Sequence, residues 1–257
     1  MKWIVIVFQM FFIISIGFGQ SQVDGNKTDV KGRKQGKWVK FHEGTEKKRY
    51  TGAFENDIPI GKFTYYYITG EVSAVIDFIN DNKTAYTRMY HLNGKVMAAG
   101  KYIDKKKDSI WLSFNDRKEI MRKENYVLGK LSGENIVYYP SDPSKGKVKR
   151  YEETNYVAGL KSGKWIQYFS TGRVKAEGVY KDGNFDGRVK WFFSNGKVEI
   201  EGYYKYAVKQ GFWKYYEDDG AIRKKIYYRN GEVIKDNELE RHLEKLKKAK
   251  SEQKTKL

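Results

Sequence analysis

Residues Gly163 to Gly187 read GKWIQYFSTGRVKAEGVYKDGNFDG, and the end of this stretch begins to copy its start. Two aromatic columns extend the copy along the chain. The first is Phe41, Tyr66, Tyr90, Phe114, Tyr138, Tyr168, Phe192 and Tyr216; the second is Phe54, Phe78, Tyr102, Tyr126, Tyr156, Tyr180, Tyr204 and Tyr228. Successive members lie 24 residues apart except at two places. The first unit has one extra residue, in HEGTEKK after Phe41, and the fifth has six, in PSDPSKG after Tyr139. Both extensions fall between the two columns, where an exposed turn tolerates insertion. A fixed period of this length is the signature of a repeat architecture.

Each of the eight units reads as two short strands. The first carries a bulky residue three positions before its aromatic, as in Trp38, Phe63, Trp111, Trp165 and Trp213. Then come ITGEV, LNGKV, STGRV or SNGKV, and Asn-Gly or Thr-Gly between apolar runs signals a hairpin, because glycine accepts the positive φ of a tight turn. The second strand alternates: Val174, Ala176, Gly178 and Tyr180 on one side, with Arg173, Lys175 and Glu177 between. A two-residue turn within the unit places Trp165 opposite Gly178 and Trp213 opposite Ile226, so that a Trp covers the backbone its facing glycine leaves bare. A three-residue bulged turn shifts that register.

The expected fold is all-β: a repeat array of about eight antiparallel β-hairpins, a meander of sixteen strands with a short C-terminal helix. At about 4.8 Å per strand it spans roughly 75 Å and must twist or coil. Residues 1–20 read as a signal peptide, with Lys2 before an apolar run from Trp3 to Ile16 and a small-x-small pattern at Gly17-Phe18-Gly19. Residues 21–35 form a linker, 36–234 the repeats, and 235–257 a basic helix and tail. In KDNELERHLEKLKKAK, Asn237 takes the N-cap place, Glu240 the capping-box place, and Leu239, Leu243 and Leu246 one stripe that suits the last sheet edge. Residues from Lys250 onward are expected to lack order.

Composition narrows the partner. Lys and Arg number 50 against 32 acids, a net +18, which attracts polyanions or acidic proteins. There is no cysteine, so disulfides, thiolate metal sites and cysteine nucleophiles are excluded.

The run G-x-Y-K-D-G-x-x-x-G-x-x-x-x-x-F-x-x-N-G-K-V from Gly178 to Val198, with GKWIQYFSTGRV and GFWKYYEDDGAI, resembles the MORN-repeat variant family of YwqK-like proteins labelled toxin–antitoxin system antitoxin components. The resemblance implies stacked hairpins and a non-enzymatic interaction role. Export sits poorly with neutralising a cytoplasmic toxin.

Catalytic signals are sparse. His42, His91 and His242 lie in separate units or on the helix without metal-ligand spacing, and each reads as a solvated residue. Glu152 and Glu153 point to opposite faces, and Asp218-Asp219 belongs to a turn. Asn26-Lys27-Thr28 and Asn82-Lys83-Thr84 match the glycosylation sequon. What remains is a basic ladder: Lys37, Lys62, Lys164 and Arg188 after the unit-opening glycine, and Lys95, Arg173 and Lys197 after the turn glycine. Beside the ring columns, these residues suit a negatively charged polymer. The expectation is an exported binding scaffold, periplasmic, envelope-associated or secreted, for a protein or an anionic glycan or lipid; nucleic acid is disfavoured by export. No cofactor or metal is expected. The alternative is an antitoxin or immunity component that masks a specific effector protein.

Overall fold

The computed structural model describes residues 25–79, 83–140 and 148–254. The expected signal peptide, Asn82 and most of the fifth-unit insertion lie outside the described residues.

The chain is an open antiparallel meander. Its units pair Lys34–Phe41 with Lys48–Glu55, Ile58–Tyr66 with Val72–Ile79, Thr84–Tyr90 with Val96–Ile103, and Lys106–Phe114 with Ile120–Val127. They continue with Gly133–Tyr138 and Arg150–Val157, Leu160–Tyr168 and Val174–Lys181, Gly187–Phe192 and Val198–Lys205, and Val208–Tyr216 and Ile222–Arg229. Each second strand then pairs with the first strand of the next unit, giving a one-dimensional array. The linker expected over 21–35 is partly strand: Lys27–Thr28 pairs with the first unit.

The expected register holds, by a different route. Trp165 faces Gly178 and Trp213 faces Ile226. The turn between is nevertheless a three-residue loop: Phe169 N bonds Arg173 O, Gly172 N bonds Phe169 O, and Gly172 has φ +91°. A bulge two residues later slides the register back by one, and the same shift recurs in all eight units. Two-residue turns with both central φ positive instead join one unit to the next, as at Asn56-Asp57, Asp104-Lys105 and Tyr206-Ala207.

Where units meet, except between the second and third, the first strand of the later unit carries two extra residues, so the ladder skips from Thr51↔Thr64 to Ala53↔Ile60. The bulky residue of the next unit enters that gap. A Cβ built on Gly52 would lie 2.5 Å from the Phe63 ring, and one on Gly100 or Gly202 would lie 2.2 Å from Trp111 or 2.3 Å from Trp213. The ring over each glycine therefore comes from the following unit, and not from the hairpin partner. This column is the core: Phe63, Trp111 and Trp213 are each 2% exposed. Second-column rings close over it edge-on, with Tyr102 4.9 Å from Trp111 and Tyr204 5.0 Å from Trp213.

The helix spans Asp236–Lys254. Glu238 N and Leu239 N both bond Lys235 O, so Lys235 holds the N-cap place and Asn237 lies inside the helix. Ile234 N is still bonded to Tyr227 O, which fixes where the chain leaves the sheet. The helix also runs past Lys250, through residues of good helix propensity, where disorder was expected. It meets the sheet by a 3.1 Å contact of His242 with the Tyr227 hydroxyl and by the pairing of Arg229 with Glu238. Among the described residues no helix is long and apolar enough to cross a membrane.

Candidate binding surface

Strand alternation separates the two ring columns. The second column shares a face with the Trp column, whereas the first lies three residues beyond each Trp and so points the other way. The face with the Trp column is occupied by its own packing. The opposite face carries the exposed charge.

On that charged face the residue after each unit-opening position forms one cross-strand row. Lys37 faces Ala53, Lys62 faces Asp77, Lys164 faces Val179 and Arg188 faces Tyr203, and all four cations are exposed. The intervening units place Tyr86, Ile110 and Glu134 there, and the last unit Phe212. The row is thus two basic pairs with an uncharged or acidic stretch between them. A continuous ladder was an extrapolation from the glycine-lysine units alone.

Lys95, Arg173 and Lys197 sit instead at the hairpin-turn end. Arg173 Nη1 donates to Ser194 O and Lys197 Nζ to Asp219 O, both at 2.8 Å, so these two cations tie each turn to the next. Lys95 is half-buried. The same end uses the histidines: Nε2 of His42 lies 3.2 Å from Tyr66 O and Nε2 of His91 lies 3.0 Å from Phe114 O. Tyr67 and Tyr139 hydroxyls make the equivalent bond to Tyr90 O and Tyr168 O, both at 2.7 Å. His42 and His91 are therefore inter-unit ties, where solvated turn residues were expected. Asn26 is also engaged: its Nδ2 donates to Val39 O and its Oδ1 accepts from Val39 N.

A second row of the charged face alternates in sign. Glu177 faces Lys190, Lys190 faces Glu201, and Glu201 faces Lys214. Hydrogen bonds from Lys214 (2.8 Å) and the Tyr216 hydroxyl (2.8 Å) hold the Glu201 carboxyl below the usual range, and the same bond raises Lys214. The row borders a trough of about 480 Å³ lined by Arg188, Lys190, Tyr203 and Phe212. A neighbouring trough of about 470 Å³ carries Lys164, Glu177, Val179 and the same Arg188 and Lys190. Val179 and Tyr203 are 43% and 40% exposed, so apolar surface lies among the cations.

Four lysines that motif reading passed over cover the ring face. Lys34, Lys107, Lys161 and Lys209 each precede a column Trp by four residues, a recurrence visible in the sequence once the Trp column is aligned. Their ammonium groups lie 4.3 to 5.1 Å from ring centroids, as Lys107 does over Trp111 and Tyr126. Between the fourth and sixth units this face turns polar. Burial, with the Glu124 charge and hydrogen bond, pushes Tyr126 up to about 12. Burial opposes ionisation of Glu152, but Gln167, Thr154 and Lys161 outweigh it and lower its pKa. These groups satisfy one another, and among the described residues none gathers with two other His, Asp or Glu side chains as a metal site.

Residues 161–182 and 185–206 match a model of the MORN repeat variant, two segments beginning one 24-residue period apart. The match supports the MORN-repeat family, whose repeat is a non-catalytic binding motif. No curated protein matches the chain. A crystal structure of TarM is 16% identical over 56% of this chain with a TM-score of 0.24. A S. aureus TarM mutant in complex with Fondaparinux, alpha-GlcNAc-glycerol and UDP is 15% identical over 54% of it with a TM-score of 0.25. The chain spans 21% of the length of either, and a likeness this slight carries no argument.

Proposed function

We propose that the chain is an exported, non-enzymatic repeat scaffold that binds a protein or an anionic polymer or lipid of the cell envelope across its charged face. The observation that carries the reading is the division of labour between the faces. The second-column rings are packed against the Trp column, while on the other face Lys164 and Arg188 stand exposed in consecutive units beside Tyr203 and Val179. Such a surface supplies charge for affinity and a small apolar area for contact.

The test compares two charge removals of equal size. Lys164→Gln with Arg188→Gln is expected to weaken binding of a sulfated polysaccharide or anionic vesicle about tenfold at low salt and to flatten its salt dependence. Arg173→Gln with Lys197→Gln removes the same charge from the turn ties, and is expected to change stability more than affinity. Equal losses from both pairs would mean that only overall charge matters, and would sink the face-specific reading. A stoichiometric protein captured from envelope extract and retained at high salt would instead favour an effector-masking antitoxin component.

A further inference from the structure

The two ends of the array are treated differently. At the start, Lys27–Thr28 pairs with Lys34–Gln35, Asn26 N bonds Lys37 O, and the Asn26 amide imitates a peptide against Val39. That edge is closed. At the other end, among the described residues, the outer side of Ile222–Arg229 is paired only at Tyr228↔Val233 and Arg229↔Glu232, with Ile234 N on Tyr227 O. Earlier second strands pair two or more residues further along, as Ile200↔Tyr215 and Glu201↔Lys214 do. Backbone groups of alternate residues face the same way, so Lys225, two residues from Tyr227, presents its N–H and C=O outward. Arg223, Lys224 and Lys225 are all exposed, and among the described residues no strand pairs with their outer side.

The charged row supplies the partner's chemistry. It alternates through Glu177, Lys190, Glu201 and Lys214, and then breaks its own rule, because Lys214 faces Lys225. Like charges directly opposite repel, and the Lys225 ammonium has turned onto the Phe212 ring at 4.0 Å. An acid on the open side would give Lys225 the opposite charge that Lys214 does not supply.

We propose that this edge takes up an extended acidic segment as an additional antiparallel strand, with an Asp or Glu opposite Lys225. Main-chain bonds give the affinity and the acid gives register and selectivity. A second copy is a poor occupant, since its own open edge is equally basic and its first edge is already closed. The three basic residues also guard against strand addition by neutral chains.

The probe is a short peptide alternating Thr and Val around a central Glu, compared with the same peptide carrying Lys, on the full chain. The Glu peptide is expected to bind about fivefold more tightly than the Lys peptide and to protect the Lys225 amide from hydrogen exchange. Lys225→Glu places an acid opposite Lys214, so it is not expected to harm the fold, and it should invert the preference. Lys164→Gln with Arg188→Gln should leave this binding unchanged, which separates it from the charged-face reading. The proposal fails if Lys225→Glu leaves the preference as it was. It also fails if the Lys225 amide is already protected in the free protein, because the chain then covers its own edge. Protection that appears with protein concentration alone would identify a second copy and overturn the acidic partner.

Discussion

The junction of the second and third units and that of the third and fourth solve one packing problem in opposite ways. Between the third and fourth, Gly100 lies beneath Trp111, and two extra residues on the first strand open the gap that admits the ring. Between the second and third, the ladder runs without a shift from Ala74↔Met89 to Ile79↔Thr84, with Ile76 opposite Thr87. Four residues separate the paired Ile79 and Thr84 in the sequence, where two separate Ile103 from Lys106, so the two extra residues lie outside the ladder and not within it. Size has changed strands as well: a large residue over glycine in one junction, a small residue beside isoleucine in the other. The repeat therefore conserves the filled volume of a junction and not its residues.

Breaking the large-over-glycine junction gives the largest effect. Trp111→Thr is expected to lower stability by about 4 kcal/mol, since a 2%-exposed ring leaves a cavity that a stacked array closes only in part. Gly100→Ile should cost about 3 kcal/mol, because its Cβ alone would stand 2.2 Å from the indole. The two changes together import the other junction's pair. They are expected to cost about 2 kcal/mol less than the sum, measured by urea unfolding, and strict additivity would disprove the exchange of volume.

A milder change sharpens the same contrast. Thr87 is 2% exposed, and its hydroxyl has no hydrogen-bond partner among the described residues. Thr87→Val keeps the shape and removes the unsatisfied oxygen, and is expected to raise stability by about 1 kcal/mol. No change, or a loss, would point to a partner for that hydroxyl.

This contrast also explains what was legible in the sequence. Period, strand number and the Trp column follow from aromatic spacing, because ring size and alternation are properties of residues. Which glycine a ring covers depends on bulges, and a bulge leaves no residue of its own. The expected pairing of Trp165 with Gly178 held only because a three-residue loop and a bulge at Lys175 offset each other. The charged surface was half legible for a related reason. Lys164 and Lys197 look alike after their glycines, yet one stands in solvent and the other is bonded to Asp219 O. That distinction depends on distance to the next unit.

The finest test concerns the residue that opens the gap. Gly36, Gly61, Gly133, Gly163, Gly187 and Gly211 all have positive φ there, whereas the fourth unit holds Ser109 at +58°. A side chain in that region costs of order 1 kcal/mol, and Ser109→Gly relieves it at the loss of a 2.9 Å bond to the Asp108 carboxylate and some chain entropy. The expected net gain is about 0.5 kcal/mol. At the aligned position of the third unit, Ala85 lies in a regular strand, so Ala85→Gly should instead cost about 1 kcal/mol. Opposite signs at one repeat position would confirm that the gap, and not the motif, sets the demand for glycine. The pH dependence gives a second handle. The Leu128 N–H, then Ser109 and Lys101, hold Asp108 below its ordinary value, so its contribution is complete above the unfolded carboxyl pKa of about 4 and fades as pH falls further. Ser109→Gly removes one of those bonds and has less to lose, so its advantage over the parent should widen between pH 5 and about pH 3. A constant difference across that range would leave the φ strain as the whole effect.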